Sequence, residues 1–450
     1  MRFLCRNGCV LFATFSLALG LGCGNQYRPV ANPIVGPGGQ PQSTHFAYVV
    51  NSNPIGDGST TRIDVSGDSV TRVQTMGLGS NFEAFLSPSL GALFVSNGGD
   101  DTVSEYALTG SDTITTINLL GGSHPVALSS TQGGVMYVLN SGANSMCPKS
   151  GSISTINTAT LAVSNTTCLV FALPPPLGFA YGVNPIAMVQ ATGGGRVYVI
   201  AQGDNSVWVY DPPTQTIVAR FTTQANPTLG PNAVYLVASA DGSYIFVVTQ
   251  GDKDNPPALD IIATNNATNN FAVLPSAPLG VKPRFAFLDP NLNRLYVTNF
   301  CGNDATCSSN GTVSVFDASN VDIGTPSNPK SPAIPLLGTA NVGTGPVSVT
   351  ALPNGTKFYV ANSGSNNVTD VSATSFAALG TIPLPSGANP VWIASEPTSS
   401  KVYVANQSAS STTIIQTSND AVAVSVPAPA QDPNCTSSCA LQQPLMIITQ

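Results

Sequence analysis

Apolar residues in this chain fall in short runs flanked by Ser, Thr, Asn, Gly and Pro, and one run keeps returning: an aromatic between aliphatic neighbours, followed within a few positions by Asn, Thr or Gly. It reads Ala47-Tyr48-Val49-Val50-Asn51, Leu93-Phe94-Val95-Ser96-Asn97, Met136-Tyr137-Val138-Leu139-Asn140, Val197-Tyr198-Val199-Ile200, Ile245-Phe246-Val247-Val248-Thr249, Leu295-Tyr296-Val297-Thr298-Asn299, Phe358-Tyr359-Val360-Ala361-Asn362 and Val402-Tyr403-Val404-Ala405-Asn406. The aromatics step by 46, 43, 61, 48, 50, 63 and 44 residues. Recurrence on this scale predicts a repeat architecture, because one such unit cannot bury its apolar face without a neighbour.

Each interval resolves further into four short strands. Pro leads an apolar run in Pro125-Val126-Ala127-Leu128, Pro185-Ile186-Ala187-Met188, Pro283-Arg284-Phe285-Ala286, Pro346-Val347-Ser348-Val349 and Pro390-Val391-Trp392-Ile393, and the aromatic follows 12, 13, 13, 13 and 13 residues later. A third run comes after the aromatic strand, as in Thr312-Val313-Ser314-Val315-Phe316, and a fourth after that, as in Thr216-Ile217-Val218-Ala219-Arg220-Phe221. Four antiparallel strands repeated radially make a β-propeller, and Pro is tolerated at the first position of a strand. The first repeat lacks a Pro-led strand, while the chain ends in an orphan Pro444-Leu445-Met446-Ile447-Ile448. The expected fold is therefore all-β, a single propeller of eight blades whose C-terminal strand completes the first; seven blades is the alternative if the repeat around Phe246 is absorbed differently. Closure of this kind removes open sheet edges.

The aromatic-Val-x-Asn strand, its Gly/Asp/Asn turn and the following Thr-Val-Ser-Val-like strand resemble the YVTN-type β-propeller repeat of bacterial and archaeal envelope proteins. The nearest copies are Leu295-Tyr296-Val297-Thr298-Asn299 with Thr312-Val313-Ser314-Val315-Phe316-Asp317, and Phe358-Tyr359-Val360-Ala361-Asn362 with Asn367-Val368-Thr369-Asp370-Val371. The resemblance spans roughly residues 45 to 450. It implies a fold and leaves function open, since such propellers include surface-layer, binding and uncharacterised lipoproteins.

The first residues point to export. Arg2 and Arg6 form a positive region, the stretch from Val10 to Leu21 is apolar, and small residues precede Cys23, the layout of a signal peptide over residues 1–22. Leu19-Gly20-Leu21-Gly22-Cys23-Gly24 resembles a bacterial lipobox with Gly20 in place of the usual Leu or Val, which implies lipidation of Cys23. The segment up to residue 45, rich in Pro, Gly, Asn and Gln, reads as a flexible tether, leaving 46–450 as the propeller. The expected location is the cell envelope, anchored by lipid to a bacterial membrane and facing periplasm or exterior, or else secretion. Six further cysteines fall into near pairs, Cys147 with Cys168, Cys301 with Cys307 and Cys435 with Cys439. In an exported chain with only two histidines, this favours three disulfides over a zinc site.

Composition removes several chemistries. Charged residues make up 8% of the chain, the net charge is -7, and no basic stripe is present, so nucleic acid is not an expected partner. Two histidines and three glutamates leave few proton-transfer groups. No catalytic set, cofactor or metal is expected. The acidic turns Gly99-Asp100-Asp101, Gly203-Asp204-Asn205 and Gly251-Asp252-Lys253-Asp254-Asn255 offer oxygen ligands, but Asp, Asn and Gly are also the default hairpin residues. His124, Asn184, Lys282, Asn389 and Gln443 each precede a strand-leading Pro, which would set them around one channel mouth, with Glu83 and Arg284 nearby on inner strands. These are the candidate ligand-binding residues, set against the alternative that residues at a solvated strand start are simply polar. The favoured function is a binding or interaction scaffold for a protein, glycan or other surface ligand. A lactonase-like hydrolase is the alternative, which requires Glu83, His124 and Arg284 to converge. A structural surface-layer or adhesion role comes third.

Overall fold

The computed structural model describes residues 45–450 apart from 79–80, 88–89, 109–111, 130, 132, 194, 224–228, 265–270, 323, 326–327, 330, 433 and 435–438. The signal, the tether and Cys23 lie outside the described residues.

The chain is all-β and forms eight four-stranded antiparallel blades. In the seventh blade the strands run Pro346–Ala351, Lys357–Asn362, Asn367–Ser372 and Ala378–Pro383, from the centre outward. The first blade is composite: Gln443–Thr449 is its inner strand, paired antiparallel with Phe46–Ser52, and Asp57–Asp64 and Ser69–Leu78 lie outside them. Inner strands of successive blades touch all the way round, and the ring closes where Gln443–Thr449 meets Asn81–Ser87. The C-terminal strand thus completes the first blade, and the alternative of seven blades falls away.

The recurring aromatic strand owes its pattern to this stacking. Along Val197–Ala201 the side chains alternate between two neighbours: Val197, Val199 and Ala201 pack against the third blade, while Tyr198 and Ile200 pack against the fifth. The period of two separates preceding blade from following blade, so the strand is apolar on both faces and reads as a continuous run. All eight motif aromatics point to the following blade, from Tyr48 against Leu93 and Val95 to Tyr403 against Ala47 and Val49. Eight apolar cores occupy the eight interfaces, whereas an open array of eight blades would have seven.

The motif Asn binds the next strand. Asn299 Nδ2 donates to Thr312 Oγ1 at 3.0 Å and Ser314 Oγ at 3.0 Å, and Asn51, Asn97, Asn140, Asn362 and Asn406 make the corresponding pairs of bonds. This explains the hydroxyls of the Thr-Val-Ser run. In the fifth blade, which has Thr249 instead of Asn, the buried Asp260 accepts the Gly230 amide at 2.8 Å, as Asn299 Oδ1 accepts the Gly280 amide in the sixth. Burial raises the Asp260 carboxyl above the usual range, while Ser276 and Gly230 hydrogen bonds act against that rise.

Cations at the start of second strands lock adjacent blades at the opposite end. Lys357 bonds Asp420 of the eighth blade, which also accepts from Tyr359 Oη at 2.6 Å, and Lys401 bonds Asp68 of the first. Arg294 reaches the Ala373 carbonyl of the seventh blade, and Arg196 lies 4.9 Å above the Phe271 ring of the fifth.

Candidate functional site

The residue before six of the inner strands is shaped by its backbone. His124, Asn184, Asn232, Lys282, Gly345 and Asn389 have φ of 48°, 49°, 58°, 52°, 67° and 46°, the left-handed region that Gly and Asn enter most readily. In each, the carbonyl accepts an amide from the end of its own blade's second strand: Ser141 to His124, Gln202 to Asn184, Gln250 to Asn232, Phe300 to Lys282, Ser363 to Gly345 and Gln407 to Asn389. The amides of His124, Asn232 and Asn389 donate to Asp101, Asn205 and Asn366, each at 2.7 Å, in the preceding blade's hairpin between second and third strands.

Backbone function therefore selects small, polar or flexible residues here, and their side chains stay largely outside the fold. His124 is 56% exposed, and its Nδ1 lies 2.8 Å from the Gly98 carbonyl. Asn184, Asn232, Lys282 and Arg284 are exposed, while Asn389 and Gln443 are half-buried. Glu83 lies on Asn81–Ser87 of the second blade, but its side chain lies outside the described residues. His124, Asn184, Lys282 and Asn389 thus occupy the equivalent position in four different blades, and Arg284 is the second residue of the strand that Lys282 precedes. Among the described residues no side-chain hydrogen bond or ion pair links any two of them. Asn232, Gly345 and Phe300 belong to the same face and were not among the sequence candidates; Asn232 precedes Ala233, so a rule keyed to Pro passes over it.

The hairpins and disulfides share this end. Cys147 of the loop between second and third strands of the third blade is bonded to Cys168 at the end of its fourth strand, and Cys301–Cys307 closes the matching loop of the sixth blade. These are the two longest repeat intervals. Cys439 is also disulfide-bonded, and Cys435 lies outside the described residues. Disulfides of this number mark a chain that matures in an oxidising, extracytoplasmic compartment.

The acidic turns are occupied with local bonding. Asp101 accepts from Gly122 and His124 amides, and Asp204 accepts from Ser206 and Arg220. Asp252 accepts the amides of Asp254 and Asn255, which with the Asn255 side chain hold its carboxyl below the usual range. Among the described residues no group of three His, Cys, Asp or Glu is placed to share a metal ion.

Deeper in the ring, Phe285 stands 4.8 Å from Tyr235 and 5.3 Å from Trp392 by ring centroid. Phe285 and Trp392 come from the sixth and eighth blades, so their rings meet inside the circle of inner strands, past the small Ser348 of the seventh. Trp392 Nε1 continues the contact to the Ile447 carbonyl of the first blade at 3.0 Å.

No protein-family profile and no curated relative matches the sequence. Solved structures do match. Dihydro-heme d1 dehydrogenase NirN, solved in complex with DHE, is 13% identical over 94% of this chain and 79% of its own, with a TM-score of 0.65. Apo AztD from Citrobacter koseri is 11% identical over 90% of this chain and 99% of its own, with a TM-score of 0.58. The likeness is one of fold. A Bacteroides fragilis protein provisionally assigned as a 6-phosphogluconolactonase is 14% identical over 78% of this chain and 98% of its own, and its TM-score of 0.49 is too low to carry an argument.

Proposed function

We propose that this chain is an exported, lipid-anchored propeller of the YVTN type that acts as a binding scaffold at the bacterial cell envelope, using the face formed by the inner-strand starts and the disulfide-closed loops. The observation that carries this reading is the division of labour at those starts: the backbones are committed to the ring, while side chains as different as His124, Asn184, Asn232 and Lys282 project from one backbone geometry. A rigid scaffold that presents variable side chains from equivalent positions is how propellers and other repeat folds build binding faces.

Two assays test the proposal. Cys23→Ala should move the protein from the membrane fraction to the soluble fraction without changing its fold. Arrays of envelope glycans and proteins should show binding that falls with His124→Ala or Lys282→Ala. Binding insensitive to those changes and lost on substitution of Asn354 or Thr356, in a turn at the other end, would move the site to the opposite face.

A further inference from the structure

The sixth blade breaks the repeat at the second residue of its inner strand. In the inner strands the register shifts between the first residue and the third, at Pro125/Ala127, Pro185/Ala187, Ala233/Tyr235, Pro283/Phe285, Pro346/Ser348 and Pro390/Trp392. The residue between them is bulged out of the ladder, and bulges redirect side chains. That residue is the half-buried Val126, Ile186, Val234, Val347 or Val391 in five blades, and the exposed Arg284 in the sixth. The residue before the same strand is Lys282, so cations flank Pro283 on both sides.

Neither cation is paired with a carboxylate among the described residues. Arg62, Arg72, Arg196, Arg220, Lys253, Lys357 and Lys401 form ion pairs with carboxylates, and Arg294 bonds a carbonyl. Lys282 and Arg284 form no ion pair among the described residues, although the chain has 22 acidic residues against 15 basic ones. The hairpin carboxylates of the fifth and sixth blades have other partners: Asp254 pairs with Lys253, Asp252 bonds its own turn, and Asp304 bonds Thr306, Ser308 and the Ser309 amide.

Arg284 is also held in place. Its guanidinium lies 4.2 Å from the Phe300 ring centroid, and Phe300 in turn fills the space left by Gly345, where an added Cβ would come within 3.0 Å of the ring. A guanidinium resting on an aromatic keeps its N–H fork free for two oxygens of one carboxylate or phosphate. From these observations we infer that Arg284 and Lys282 form an anion-binding subsite for a carboxylate- or phosphate-bearing ligand. The inference rests on the binding-face reading above and specifies its chemistry.

The test is titration calorimetry of the mature chain at low ionic strength with inorganic phosphate, citrate and phenyl phosphate, with glucose as the uncharged comparison. Arg284→Val installs the residue type that other blades carry at this position, so it should preserve the fold, and Arg284→Gln is a second variant of similar length. At least one anion should bind with Kd below about 1 mM, weaken at least about tenfold in either Arg284 variant, and weaken further with Lys282→Gln. Lys253→Gln, on the same face, should leave the affinity unchanged, and glucose should not bind. No anion binding below about 1 mM, or binding indifferent to Arg284 and Lys282, overturns the assignment. If anions fail while an envelope glycan or protein still binds the loop face, the subsite falls and the binding-face reading stands.

Discussion

Replacing Asn299 with Ala probes how the motif Asn holds its blade. Asn299 is fully buried and makes three side-chain hydrogen bonds: two donated to Thr312 and Ser314 at 3.0 Å, and one accepted from the Gly280 amide at 3.1 Å. A net hydrogen bond contributes about 1 kcal/mol, so the substitution should cost about 3 kcal/mol. Asn97 is equally buried and donates to Thr102 and Ser104 at 3.0 and 2.9 Å, but its Oδ1 has no partner among the described residues. Asn97→Ala should therefore cost about 2 kcal/mol by the same count. Urea unfolding followed by far-UV circular dichroism measures both, provided the slope m is unchanged so that midpoint shifts report stability. Equal losses in the two variants, or a loss below about 1 kcal/mol for Asn299→Ala, would refute the hydrogen-bond count.

Other outcomes follow from the same geometry. Tyr359→Ala, at an aromatic buried between the seventh and eighth blades, should cost about 3–5 kcal/mol, with Tyr359→Phe losing only the bond to Asp420. Burial raises the Glu396 carboxyl, but hydrogen bonds from Thr398 and Ser400 outweigh it and hold the group below the usual carboxylate range. Because the folded value is depressed, that stabilisation is present above the ordinary Glu value of about 4.3 and fades as pH falls through the folded value. Glu396→Gln should thus be less stable than the wild type at pH 7, with the gap closing in acid denaturation series. Thiol labelling of the unfolded, unreduced protein should find no free thiol at Cys147, Cys168, Cys301, Cys307 or Cys439; strong labelling at Cys147 or Cys301 would contradict an oxidised, extracytoplasmic protein.

Much of the fold was legible because it is written in one dimension. The aromatic strand is buried against both neighbouring blades, so it appears as an unbroken apolar run with a fixed distance from the Pro-led strand before it. The closing strand was legible as an orphan run at the C-terminus. What could not be read was the use of the polar residues. The Asn at the end of six aromatic strands looks like a turn signal, yet it donates inward to side chains on the next strand. The residues before Pro look like a ligand funnel, yet their first duty is a left-handed backbone that hands a carbonyl to the neighbouring strand. Arg284 was singled out as a channel-mouth candidate, but its significance depends on a bulge and on its stacking over Phe300, and neither appears in a linear pattern. Local spacing recorded the strands; contacts between blades assigned the polar side chains.

The most direct test of the binding-face account is hydrogen exchange on the protein loaded with its tightest-binding ligand from the arrays and the anion series. The account predicts protection at residues 122–126, 230–234, 282–284 and 300–302, where inner strands begin and the loops meet them. Protection confined to the turns at 353–356 and 396–400, at the opposite end of the blades, would contradict it.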